Sequence, residues 1–156
     1  MESIFIRKAR LSDMDTLLQF EQGVITAERP FDKTLRDESI HYYDLHQLLT
    51  AQHIRLLVAQ CGDEIIGSGY ARIETAKPYL KHQRYAYLGF MYVLPAYRGR
   101  GVNKMIIDTL TEWATAQRIT ELRLEVYSDN EPALKAYEKA GFSRHMIEMR
   151  MGPKGE

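Results

Sequence analysis

Residues 98–104 read Arg-Gly-Arg-Gly-Val-Asn-Lys, a combination suited to holding an anion. Gly99 and Gly101 let the backbone turn sharply and approach a phosphate with no side chain in the way. Arg98, Arg100 and Lys104 add positive charge, and a guanidinium matches phosphate geometry well. The apolar residues that follow, Val102, Ile106, Leu110, Trp113 and Ala114, recur at helical spacing. The loop therefore opens a helix, whose unpaired N–H groups and dipole favour negative charge. Arg98, Gly99, Arg100, Gly101, Val102, Asn103 and Lys104 together read as a pyrophosphate cradle. A Walker loop is excluded because no Gly-Lys-Ser/Thr ends the run. A dinucleotide fingerprint is excluded because Lys104 stands where its third glycine belongs.

A strand must deliver that loop. Residues 85–93 are aromatic and β-branched, as a buried or half-buried strand requires, and Pro95 ends them. Upstream, residues 4–8 predict a first strand. Ser12, Asp13 and Asp15 predict the start of a helix carrying Leu17, Leu18, Val24 and Ile25, which Pro30 breaks. A second helix is expected over 42–50. Residues 54–60 and 64–73 form a hairpin about Gly62-Asp63, with Gly67 and Gly69 marking a bulge or a close backbone approach. After the cradle helix, 122–127 alternate as a strand. Residues 130–140 form a helix with Pro132 in its first turn and Gly141 at its stop, and 145–151 predict a last strand. The order is β-α-α-β-β-β-α-β-α-β, a mixed rather than doubly wound α/β arrangement. The crossover through the central helix makes its two flanking strands parallel neighbours.

At 156 residues the chain suffices for one domain, 1–156, with a real core. Lys plus Arg and Asp plus Glu are each 21, which argues against non-specific nucleic-acid binding. No apolar run approaches a membrane span, and the N-terminus lacks a signal-peptide core. Cys61 is alone, and the five histidines have no cysteine partners in a zinc-like spacing. These features predict a cytoplasmic protein with no metal site.

Two motifs then combine. Arg98-x-x-Gly101-x-Asn103 is one residue from the Arg/Gln-x-x-Gly-x-Gly/Ala loop of the GCN5-related N-acetyltransferases (GNAT). Downstream, Asn130-x-x-Ala133-x-x-x-Tyr137-x-x-x-Gly141-Phe142 resembles the motif following the fifth strand in that superfamily, at the right distance. With Val93-x-Pro95, the specific resemblance covers 85–143. It implies a twisted, mostly antiparallel mixed sheet flanked by helices, with acetyl-CoA as co-substrate. On matching positions it implies that Met91 and Val93 pair through their backbone with the pantetheine arm, that residues 98–103 hold the pyrophosphate, and that Asn130, with Ala133 beside it in the motif, holds the pantetheine. Tyr137 would donate a proton to the departing thiolate, and Gly89 would place the bulge that opens the strand edge.

The resemblance implies N-acetyl transfer, directly in a ternary complex, to a primary amine, either a small molecule or a peptide N-terminus. Such transfer needs a neutral amine, a polarised carbonyl and a proton for the thiolate. A phenol of pKa near ~10 suits the last. Asn103 departs from the usual small residue, though its N–H remains available. Many family members carry a glutamate on the central strand roughly where Tyr87 stands, and this strand has no acid. The base is then water, Glu28, Glu74 or Glu125. Tyrosines 42, 43, 70, 79, 85, 87 and 92, with Glu28, Arg29, Asp32 and Arg72, are candidates to line the acceptor pocket. An acyl-CoA-binding sensor or interaction module of the same fold, without turnover, is the alternative. Acceptor identity, acyl chain length and a monomer or homodimer stay open.

Overall fold

The computed structural model describes residues 3–152. The chain forms two compact units, Met1–Glu125 and Val126–Glu156. In the first, β1 (Ile4–Lys8) leads to α1 (Met14–Glu28), α2 (Leu45–Thr50), β2 (Ile54–Cys61), β3 (Glu64–Thr75), β4 (Arg84–Val93), α3 (Val102–Ala116) and β5 (Leu122–Arg123). The second holds α4 (Glu131–Lys139). The five strands lie in sequence order in one sheet. The first three pairings are antiparallel and β4–β5 is parallel, as the crossover through α3 demands.

Of the residues expected to start α1, Asp13 stands at its N-cap. Asp13, almost wholly buried, accepts from Arg10 N at 2.7 Å and from both terminal nitrogens of Arg7 at 2.9 and 3.0 Å. That arginine holds the Asp13 carboxyl below its ordinary range, against the opposing effect of burial. Helix α2 begins at Leu45 rather than 42, because Asp44 caps it by accepting from Gln47 N at 3.1 Å.

One apolar cluster joins Leu17, Phe20 and Val24 of α1 and Leu45 and Leu48 of α2 to Ile54, Leu56, Val58, Tyr70 and Phe90 of the sheet. Helix α3 buries Val102, Ile106, Ile107, Leu110 and Ala114. The two strand glycines explain how closely it packs. A Cβ on Gly67 would stand 2.9 Å from Tyr92 O and 3.3 Å from Val102, and one on Gly69 only 2.7 Å from Ile106. Both expected consequences therefore hold, since β3 is also bulged against β2 just before Gly67.

Two strand expectations fail. The ladder between β4 and β5 covers only Ala86–Leu122 and Tyr87–Arg123, so the strand over 122–127 is two residues long. Residues 145–151 form no strand. Alternating apolar residues show which face a strand would bury, but hydrogen bonds to a neighbour make it a strand.

Candidate active site

The site is built where β4 hands over to α3. From Tyr70–Gly89 to Ser68–Tyr92 the ladder skips two β4 residues against one of β3, so β4 bulges at Phe90 and Met91. The bulge sits one residue beyond the expected Gly89. Phe90 takes the positive φ of 54°, uncommon for a residue with a side chain. Gly89 has another duty: a Cβ there would meet the Tyr70 hydroxyl at 2.5 Å. Ser68, wholly buried, donates from Oγ to Phe90 O at 2.9 Å and satisfies the carbonyl that the bulge takes out of the ladder. No sequence signal marked that serine.

Beyond the bulge, Leu94 N donates to Ile66 O at 2.8 Å. By strand alternation Val93 then turns its N–H and C=O to the opposite edge, where β5 has stopped pairing. Arg98 Nε donates to Val93 O at 3.0 Å, and its guanidinium lies 5.9 Å from the Tyr92 ring. Val93 N–H remains as the donor at that edge.

The cradle follows. Gly99 and Gly101 adopt φ of 79° and 78°, and a Cβ on either would meet nothing within 4 Å. They are glycines for backbone conformation. Gly101 is the N-cap of α3 and offers no capping side chain, so the first-turn N–H groups of Val102, Asn103 and Lys104 have no cap. Arg100 lies 5.1 Å from the Tyr97 ring, exposed. Lys104 is less committed to the loop than its position suggests, since its Nζ pairs with Asp108 at 2.7 Å. An N-terminus with left-handed glycines and an uncapped dipole fits the pyrophosphate of a CoA co-substrate.

In the second unit, Asn130 caps α4, its Oδ1 accepting from Ala133 N at 3.3 Å. The cap leaves its amide N–H groups for another acceptor. Tyr137 lies on α4 with Phe142 edge-on at 6.0 Å, and Gly141 ends the helix at φ 113°.

The candidate pocket residues separate. Tyr42, Tyr43, Tyr70 and Tyr87 gather near the bulge: Tyr43 stacks on Phe90 at 4.5 Å and meets Tyr70 edge-on at 6.2 Å, and Tyr70 lies 6.5 Å from Tyr87. Arg72 stands 5.6 and 5.3 Å from the Tyr70 and Tyr87 rings and pairs with Glu74. Glu28 faces this group, its carboxyl pushed up by burial more than the neighbouring Tyr42 hydroxyl draws it down. Others lie elsewhere. Tyr92 packs on Phe20 at 4.9 Å, Tyr85 sits under Arg123 and Tyr79 is exposed beside Lys77. Arg29 holds the Arg36 and Glu38 carbonyls, and Asp32 accepts from Thr34 N.

The base candidates also part. Glu74 is held by Arg72. Glu125 accepts from the Tyr87 hydroxyl at 2.7 Å, so a carboxylate reaches the place on β4 where sequence reading found none. Burial, then this bond, hold the Tyr87 phenol well above its ordinary range, so it stays protonated.

Residues 20–142 match the model of the acetyltransferase (GNAT) family. The chain belongs to that family, whose co-substrate is acetyl-CoA. It is 27% identical over 149 residues to the thialysine N-epsilon-acetyltransferase of Bos taurus, covering 90% of this chain and 85% of that one. It is also 27% identical over 154 residues to an uncharacterized protein of Mycobacterium leprae, of which it spans only 38%. A crystal structure of a predicted acetyltransferase from Clostridium acetobutylicum with acetyl-CoA superposes with a TM-score of 0.72 at 19% identity, covering 96% of each chain.

Proposed function

We propose that the whole chain works as one acyl-CoA-binding domain that transfers acetyl directly to a primary amine, of a small molecule or a peptide N-terminus. The observation that carries this reading is the uncapped, glycine-turned start of α3 beside the free Val93 N–H. Bound acetyl-CoA supplies the thioester and its thiolate leaving group. Residues 98–104 hold the pyrophosphate, while Met91, Val93 and Asn130 take the pantetheine through backbone and amide groups. Val93 N–H donates to the acyl oxygen as negative charge develops there. Glu125, steadied by Tyr87, takes a proton from the acceptor's ammonium so that the neutral amine attacks the thioester carbonyl, and the Tyr137 hydroxyl gives a proton to the departing sulfur. The Bos taurus relative, named for acetylating an ε-amine, supports an amine acceptor.

Calorimetry with acetyl-CoA, followed by thiol release against amines and peptide N-termini, tests this. Binding with release for one acceptor class is the expected result. Binding without release would leave a sensor instead, and absence of binding would remove the cradle assignment.

A further inference from the structure

One buried charge lies outside every role described so far. Glu21, in the middle of α1, is 0% exposed. Its Oε2 accepts from Tyr42 N at 2.9 Å and Tyr43 N at 2.8 Å, and its Oε1 lies 2.7 Å from His41 Nδ1. An ionised carboxylate in such a place is costly unless its oxygens are satisfied, and a leucine would fill the same space without that cost. The return is geometric. Residues 32–44 cross from α1 to α2 with no helix or strand of their own, and long connections of this kind are commonly functional. Half-buried side chains in and just after α1 tie the rest of the strap by its carbonyls, Gln22 to Ile40 O at 3.0 Å and Arg29 to Arg36 O and Glu38 O. Glu21 holds the backbone of the end that carries Tyr42 and Tyr43. Through Tyr43 that end reaches Phe90, the bulged residue of β4, and Tyr70.

We infer that Glu21 is a positioning residue for the acceptor: it sets the strap so that Tyr42 and Tyr43 wall the amine side of the site. The inference rests on the transferase reading above. Packing alone does not require two adjacent backbone N–H groups to converge on one buried carboxylate, whereas a wall of fixed shape does.

The test compares wild type, Glu21→Gln, Glu21→Asp and His41→Ala, each checked for folding by circular dichroism. Glu21→Gln keeps the volume and one acceptor oxygen but replaces the carboxylate, so the charge-assisted bonds from Tyr42 N and Tyr43 N weaken. It should raise the acceptor KM at least about tenfold, since small misplacements cost that much, and flatten the ranking of amines in the panel. Its acetyl-CoA affinity should stay within about twofold of wild type, because the cradle lies on other elements. Glu21→Asp should recover part of the ranking. His41→Ala removes only the exposed partner and keeps the variant series informative if Glu21→Gln does not fold; a KM rise and altered ranking are expected, smaller than for Glu21→Gln. Unchanged acceptor KM and ranking in folded Glu21→Gln, or in His41→Ala where Glu21→Gln does not fold, would overturn the inference. So would a parallel fall in acetyl-CoA affinity. Absence of turnover in wild type is a separate result, seen without any variant, and would overturn the transferase reading together with what rests on it.

Discussion

Tyr137 and Glu125 would have opposite tasks in the transfer, and substitution should separate them. Tyr137→Phe keeps the ring that meets Phe142 and removes the hydroxyl that would give the proton. Single-turnover thiol release should slow by about 10²-fold or more while acetyl-CoA affinity changes little. An unchanged rate would make Tyr137 a packing residue of α4. Glu125→Gln should also slow transfer, but the loss should shrink as pH rises toward the acceptor's own pKa, where a neutral amine no longer needs a base. A pH-independent loss would point to a structural role. Both residues were nameable from sequence, Tyr137 by its motif and Glu125 only as one acid among three. The Tyr87 contact that singles out Glu125 joins β4 to the segment after β5, so no local spacing encodes it.

At the scale of elements, α3 depends on the left-handed Gly101 at its N-cap. Gly101→Ala meets no steric neighbour yet must hold φ near 78°. It should destabilise by about 1–2 kcal/mol in denaturant titration and weaken acetyl-CoA binding in calorimetry. Intact binding would show that the N-terminal N–H groups are not the cradle. Helix α1 depends on Asp13 instead. Its carboxyl is depressed in the folded state by Arg7, so its contribution is complete above the unfolded value of 3.8 and is lost as pH falls through the lower folded value. Asp13→Asn should cost about 1–3 kcal/mol at neutral pH, with the gap to wild type narrowing in acid. A constant gap across that window would contradict the assignment. Turn chemistry made α3 and α4 legible, through glycines and Pro132. The two-residue β5 and the unformed strand over 145–151 were not, because pairing depends on what lies alongside.

At the scale of the whole molecule, a ligand that binds only the native state stabilises it by mass action. Acetyl-CoA at about a hundredfold over its Kd should add about 2.7 kcal/mol, or roughly 5–10 °C in Tm for a chain of this size. Gly101→Ala should lose most of that rise at the same concentration, and an unshifted wild-type Tm would argue against a native cradle. The sequence alone determined the element order through α4, the parallel β4–β5 neighbours and the loop 98–104. Those features rest on local periodicity, glycine and proline chemistry and the handedness of crossovers, all written in neighbouring residues. Only the tertiary structure decided that Phe90 carries the bulge with Ser68 beneath it, that Glu125 meets Tyr87, and that Glu21 holds the strap. Each joins residues far apart in the chain, where burial and hydrogen-bond satisfaction, rather than spacing, choose the partner.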